Sequence, residues 1–262
     1  MKLQAKVAVI TGAASGVGRA TSLAFAREGA TVVCVDVDDV LGPETAELIE
    51  REGGTAEFIH ADVAQGTEVS EMARRCMERH GRVHVLFNNA GVLTRASFEE
   101  LELEDWNRVI AVNLTGPYLC SARLLPALKA AGGASIIHHG SIDGALGNPT
   151  AVSYSVSKGG LIPLTHVMAH ALAKYGIRVN CINSGGLLAS RQGIPVRLMP
   201  ELRGGAVNTL NARTKATPLG RPGYIEECAS VALFLASDDA SFMTGSVMTL
   251  DGGRTGITPG TG

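Results

Sequence analysis

Tyr154 and Lys158 stand four residues apart, so in a helix they share one face. A phenol with its ordinary pKa of ~10 is a poor base at neutral pH, and bringing it to ~7 takes about 4 kcal/mol. A single cation at ~4 Å supplies roughly that much at an effective dielectric of ~20. The pair is therefore a workable acid–base couple, although the spacing alone also arises as a surface coincidence. Ser141, thirteen residues before Tyr154, ends an apolar run at the edge where a sheet's carboxyl end meets a ligand crevice. A second chemistry is written in Thr11-Gly12-Ala13-Ala14-Ser15-Gly16-Val17-Gly18. Glycines between a strand and a helix let backbone N–H groups approach a pyrophosphate at the helix N-terminus. The spacing departs from G-x-G-x-x-G, and glycines also serve ordinary turns. Asp36, eighteen residues past Gly18, suits the adenosine ribose hydroxyls of NAD and would repel a 2′-phosphate. Its alternative reading is a solvated strand-end carboxylate.

The elements that must position these groups alternate along the chain. Strands are expected at 6–11, 31–35, 56–60, 83–87, 135–139, 177–182 and 247–250, and helices at 17–28, 43–52, 68–79, 105–130, 152–174 and 225–236. Trp106, Val109, Ile110, Val112 and Leu119 recur at helical spacing, and Asp105 is placed to cap or charge that helix's first turn. Repeated βαβ units predict an α/β fold, a doubly wound parallel sheet with helices on both faces. No fixed-period repeat or Ser/Gly linker divides the 262 residues, so one domain is expected, with a C-terminal tail at 254–262. The stretch from Gly186 to Gly223 holds Pro195, Pro200, Pro218 and Pro222 and is too long for a plain connection, which suggests a functional lid.

Composition narrows the class. Apolar residues make up 45 % and charged residues 18 %, too apolar a balance for disorder. The 32 glycines exceed the usual share of ~7 % and must serve turns and close backbone approaches. A net charge of −2 with no basic block argues against nucleic acid as a partner. The longest charge-free stretch, Gly159–Ala173, contains two histidines and is too short and polar to span a membrane. The apolar run after Lys2 and Lys6 breaks at Thr11-Gly12, unlike a signal peptide. Five scattered cysteines without a CxxC pair read as reduced thiols of a cytoplasmic protein.

Taken together, the chain resembles the short-chain dehydrogenase/reductases, in their single-domain Rossmann branch. The matching residues are the Thr-Gly-x3-Gly-x-Gly loop at 11–18, Asp62-Val63, Asn88-Asn89-Ala90-Gly91, Val112-Asn113, Ser141 with Tyr154-x3-Lys158, Arg178-Val179-Asn180, Pro218-Leu219-Gly220-Arg221 and Asp251-Gly252-Gly253. The resemblance implies that Tyr154 is the general acid/base, that Lys158 lowers its pKa and binds the nicotinamide ribose, and that Ser141 holds the substrate oxygen. Asn113 would kink its helix and hold a water between Lys158 and solvent. NAD would be cradled by Gly12, Ser15, Gly16, Val17, Gly18 and Asp36, by Asp62 and Val63 at the adenine, by Asn89, Ala90 and Gly91 under the ribose, and by Leu187 at the carboxamide. The expected substrates are small alcohols and ketones, the expected rival an NADPH-dependent carbonyl or 3-oxoacyl thioester reductase, and a non-catalytic dinucleotide-binding regulator a more distant one. Helices 105–130 and 152–174 pack across a two-fold axis in such proteins, so a homotetramer or dimer is implied.

Three places depart from the family's pattern. Ser184-Gly185-Gly186 replaces the usual Pro-Gly, Ala189 stands where a carboxamide-binding Thr is common, and His138-His139-Gly140 precedes Ser141. One of the two histidines is a candidate for lining the site. His166 and His170 are read as a helix-packing pair rather than a metal site, and Pro163 is expected to bend its helix. Arg191, Arg197, Arg203, Arg213 and Lys215 against Glu201 make the 186–217 stretch basic, so an anionic substrate group clamped by arginine is one expectation. The other is an outward-facing, solvated charge.

Overall fold

The computed structural model describes residues 1–188 and 217–256. Apolar, largely β-branched runs form the main strands: β1 (Val7–Thr11), β2 (Thr31–Asp36), β3 (Thr55–His60), β4 (Val85–Asn88), β5 (Ala134–Ser141) and β6 (Ile177–Ser184). β7 (Leu187–Leu188) and β8 (Gly223–Tyr224) are two-residue strands, and β9 (Val247–Leu250) completes the set. Seven strands hydrogen-bond in the order β3-β2-β1-β4-β5-β6-β9. Every pairing is parallel, so helices must cross over and cover both faces, and β1, β4 and β6 are buried almost end to end. The chain starts in the middle of the sheet, moves outward to β3, and returns to place β4 beside β1. That reversal opens a crevice at the carboxyl ends of β1 and β4.

Helices α1 (Gly16–Arg27), α2 (Leu41–Arg51) and α8 (Ile225–Ala236) carry Phe25, Ile49 and Leu235 into one core, with Ile10, Phe87 and Ile137. On the other face, α3 (Gly66–His80), α5 (Gly116–Ala130) and α7 (Val152–Leu172) bury Met72, Leu124 and Ala169 against Val9, Leu86 and Ile136. The doubly wound sheet expected from the alternating pattern is present.

The helix expected over 105–130 is not uniform. It runs as α4 (Leu103–Ile110), a π-helical turn (Ala111–Thr115) and α5. Periodicity registers apolar spacing and misses one extra residue in a turn. Asp105 lies in the first turn of α4 and does not cap it, since the N-cap is Glu102. α7 runs unbroken through Pro163, and only its last expected residues tighten into a 3-10 turn (Ala173–Tyr175). Short α6 (Ile142–Leu146) and the β7–β8 pair have no counterpart in the expected elements. The expected lid falls largely on 189–216, outside the described residues, with Ala189 and all of its basic side chains from Arg191 to Lys215. Among the described residues no helix is long and apolar enough to cross a membrane.

Candidate active site

Asn89 organises the crevice. Its Nδ2 donates to the Thr11 and Gly12 carbonyls at 3.0 and 3.2 Å, while its own N–H and that of Ala90 donate to Thr11 Oγ1. The end of β4 is thereby fastened to the glycine loop. Gly12 and Gly16 adopt φ of +68° and +53°, a region that disfavours side chains. Gly18 serves packing, because a Cβ there would run into the Gly12 carbonyl. Ser15, the N-cap of α1, makes no capping bond, so the first-turn amides face the crevice without a side-chain partner.

A cavity of about 630 Å³ extends from this loop, lined by Gly12, Ser15, Gly16, Val17, Asp36, Asp62, Val63, Asn89, Ala90, Gly91, Tyr154 and Lys158. Twelve residues expected to hold a dinucleotide thus share one wall, and His139, Val92 and Leu93 join them. At one end Asp36 accepts from Ala14 N at 2.8 Å through one oxygen and from Val37 N and Asp38 N through the other. Arg19 is the neighbouring cation, and each of its three nitrogens is engaged. Nε bonds Ala14 O and Thr45 Oγ1, Nη1 bonds Glu44, and Nη2 bonds Leu41 O.

The chemistry gathers at the other end. Ser141 closes β5, where its Oγ caps α6 by accepting from Asp143 N at 3.1 Å. That capped turn explains why a strand end is followed at once by α6. Gly144 and Gly159 let α6 meet α7 backbone to backbone, since a Cβ on Gly144 would stand 2.6 Å from both the Gly159 nitrogen and the Lys158 carbonyl carbon. Tyr154 is thereby brought to Ser141. The Ser141 hydroxyl hydrogen-bonds the phenol and pulls its pKa down, but burial raises it more and the Asp143 carboxylate adds to the rise. Lys158 is 4 % exposed, and burial pushes it down to about 8. Its Nζ donates to the His139 carbonyl at 2.6 Å and sits 5.7 Å from the Tyr154 ring centre. Desolvation thus dominates the phenol, in place of the downward shift expected from a neighbouring cation.

Asn113 sits in the π-helical turn, fully buried. It exchanges two bonds with the Val92 backbone, donating to the carbonyl at 2.9 Å and accepting from the N–H at 2.8 Å, and donates to Ser157 Oγ. The extra residue of the π turn aims this side chain inward. Gly91 runs between Asn113 and Lys158, where a Cβ would stand 3.4 Å from both Oδ1 and Nζ.

A second cavity, about 400 Å³, adjoins the first and is lined by Ser141, Asp143, Asn148, Leu187, Arg95 and Arg254 among others. Tyr154 and Leu93 line both. Neither arginine was singled out from the sequence. Arg95 lies four residues past Gly91 and Arg254 directly after Asp251-Gly252-Gly253, and those positions were the available signal.

Of the two adjacent histidines, His138 is fully buried and accepts from Asn88 Nδ2 at 3.2 Å, while its Nε2 has no partner among the described residues. His139 lines the large cavity. His166 and His170 are exposed on α7, so they do not pack within the chain. The Arg178-Val179-Asn180 motif is architectural: Arg178 donates to Leu235 O and Ser237 O, and Asn180 to Met243 O.

Residues 12–255 match the family described as enoyl-(acyl carrier protein) reductase, within the short-chain dehydrogenase/reductases. The chain is a short-chain dehydrogenase/reductase. It is 36 % identical over 253 residues to a 3-oxoacyl-(acyl-carrier-protein) reductase of Thermotoga maritima, covering 97 % of this chain and 99 % of that one. It is 37 % identical over 256 residues to a trans-4-hydroxycyclohexanecarboxylate dehydrogenase of Sinomonas cyclohexanicum, covering 95 % and 93 %. Among solved structures, a gluconate 5-dehydrogenase from Burkholderia cenocepacia in complex with NADP and tartrate superposes with a TM-score of 0.87 at 29 % identity, covering 98 % of each chain. This short-chain dehydrogenase/reductase is an oxidoreductase acting on hydroxyl groups, in a family that works with NAD(P).

Proposed function

We propose that the protein is an NAD-dependent dehydrogenase that interconverts a secondary alcohol and a ketone, with Tyr154 moving the proton. The observation that carries this reading is the position of Tyr154 on the boundary of the two cavities, with Ser141 on the substrate side and Lys158 on the cofactor side. The crevice fits a dinucleotide: uncapped α1 amides and the Gly12–Gly16 backbone receive the pyrophosphate, Asp36 the ribose diol, and Lys158 and Asn89 the second ribose. The nicotinamide, when bound, supplies the hydride acceptor or donor.

The remaining work belongs to the chain. Ser141 donates a hydrogen bond to the substrate oxygen and orients it toward the phenol. In ketone reduction the Tyr154 O–H gives its proton to that oxygen, a direction favoured by a phenol that burial keeps protonated. In alcohol oxidation the phenolate takes the proton back. Lys158, anchored by the His139 carbonyl, places its charge along the route, and Asn113 holds the Val92 backbone beside it.

Arg95 and Arg254 favour a finer reading in which the substrate carries a carboxylate or similar anion. Among the described residues neither guanidinium has an acidic partner; Asp143, the carboxylate in this cavity's lining, is engaged by Asn148 Nδ2 at 3.0 Å, and Glu227 near Arg254 is paired with Arg221. The relatives named for a hydroxycyclohexanecarboxylate and for gluconate fit that choice. Tyr118, Val156 and Val167, exposed on α5 and α7, fit a homo-oligomer built on those helices, which light scattering tests.

A panel of hydroxy acids and neutral alcohols followed at 340 nm tests the reaction. Tyr154→Phe is expected to abolish turnover and keep NADH binding; surviving turnover overturns the assignment. Comparable efficiency with NADPH would favour a carbonyl or 3-oxoacyl thioester reductase instead, and binding without turnover on any substrate would favour a regulator.

A further inference from the structure

His139 and Ser184 are separate departures in the sequence, and the fold brings them into contact. Ser184 ends β6 and His139 lies next to it on β5, with Nε2 3.0 Å from Ser184 Oγ. The other ring nitrogen, Nδ1, lies 2.9 Å from Asn89 Oδ1. The direction of each bond follows from what each atom can do. Asn89 Nδ2 faces the Thr11 and Gly12 carbonyls, which only accept, so the amide orientation is fixed and Oδ1 is the atom turned to the histidine. A carbonyl-type oxygen cannot donate, so His139 Nδ1 carries the proton. Burial and the nearby Lys158 charge hold the ring neutral, near 3, which leaves Nε2 as an acceptor for the Ser184 hydroxyl. The donors therefore run one way across four adjacent strands, from Ser184 through His139 and Asn89 to the Gly12 carbonyl. The backbone of His139 ties this chain to the lysine, since its carbonyl accepts from Lys158 Nζ at 2.6 Å.

We propose that His139 is a positioning residue that, through the directed chain Ser184–His139–Asn89–Gly12, fixes Lys158 and the glycine loop at a set separation across the cofactor cavity. A proline at 184, the residue the family pattern leads one to expect, has no hydroxyl to start the chain, and an apolar residue at 139 could not continue it. The two departures are thus one feature. Phe87 packs on the ring with its centre 5.9 Å away, and Cys228 Sγ lies 3.8 Å from Nε2, where the thiol is a second, weaker donor to the same acceptor nitrogen. The role assigned to Lys158 rests on the dehydrogenase reading; the hydrogen-bond chain itself does not.

Two measurements on the full chain test it. The first needs no variant: long-range ¹⁵N imidazole spectra between pH 5 and 8 are expected to show one non-titrating Nδ1–H histidine that disappears in His139→Asn. His139 as the Nε2–H tautomer, or titrating in that range, overturns the proposal. The second uses NADH as the probe. Asn places an amide donor where Nδ1 was, whereas Gln reaches toward Nε2 and abandons Asn89. His139→Asn is expected to keep Kd for NADH within about threefold, and His139→Gln and His139→Leu to raise it at least about tenfold (~1.4 kcal/mol). Ser184→Ala cuts the same link that His139→Asn loses, so it is expected to weaken binding by itself by no more than about threefold and to add less than about twofold in the His139→Leu background. Equal effects of Asn, Gln and Leu, or effects of 139 and 184 that multiply, overturn it. A merely structural histidine would instead lower Tm in all three variants alike without this ranking in Kd. Should no alcohol or ketone be turned over, the function proposed above fails while both measurements still decide this chain.

Discussion

Replacing Asp36 by Asn asks what decides between NAD and NADP. The side chain keeps its shape and one acceptor oxygen, so the turn held by Ala14, Val37 and Asp38 N–H groups loses less than an Ala substitution would cost. What changes is the charge at the ribose end of the cavity. A carboxylate ~4 Å from one phosphate charge is opposed by about 1 kcal/mol even at the dielectric of water, hence about 2 kcal/mol for a dianion. That corresponds to roughly 30-fold in favour of NAD in the parent. Arg19 offsets it only in part, since its guanidinium is paired with Glu44 and its Nε and one Nη2 N–H are held by Ala14 O, Thr45 Oγ1 and Leu41 O. The expected outcome is a parent preference of at least about tenfold in kcat/KM, shrinking to within a few-fold in Asp36→Asn, mainly through KM for NADP. Parallel kinetics with both cofactors measure it. A parent that uses both equally, or a ratio unmoved by the substitution, would refute the electrostatic reasoning.

Gly18→Ala should raise KM for the cofactor by about tenfold or more with less effect on kcat, because the new methyl pushes the Gly12 carbonyl and Asn89 out of place; unchanged KM would contradict this. Alcohol oxidation needs the phenolate of a phenol held above its ordinary value, so it should rise from pH 7 to 9.5, whereas ketone reduction uses the protonated phenol and should fall only as Lys158 loses its charge near 8; an oxidation rate that is flat over this range would count against it. A lysine pulled from 10.5 down to about 8 makes the unfolded chain bind more protons between those values, so folding stability should climb there, and urea titrations of Lys158→Met should lose that slope. Arg95→Met with Arg254→Met should raise KM at least tenfold for a hydroxy acid but under about threefold for the matching neutral alcohol, if the anion reading holds. All five cysteines are buried with thiols pushed up to about 11 or 12, so Ellman's reagent should label them only after denaturation.

The sheet and its covering helices were legible because burial on both faces leaves unbroken apolar strands, and Ile225–Ala236 and Val247–Leu250 match their expected bounds. The residues expected at a dinucleotide could be singled out because a tight strand–helix turn and a strand-end acid leave local marks, and most of them line one cavity. What escaped depends on distant parts meeting. Nothing near Ser184 announces His139, which lies 45 residues away, and the Tyr154 environment follows from burial that no spacing encodes. The π-helical turn at Asn113 adds one residue to a helix without altering its apolar rhythm, and Arg95 and Arg254 reach one cavity from positions far apart in the sequence.

The glycine contact between α6 and α7 bears on how this protein can change. Where two helices touch through side chains, each substitution in between reseats them, and the active geometry drifts with the drift of the core. Here Gly144 lies directly on the Lys158–Gly159 backbone, with nothing interposed that mutation could enlarge or shrink without collision. The distance from Ser141 to Tyr154 and Lys158 is thus referenced to main chain alone. Selection for heat tolerance or new partners can rework the hydrophobic layers while the reacting groups keep their alignment, and selection for new substrates can work through the loops that bring Arg95 and Arg254 to the cavity.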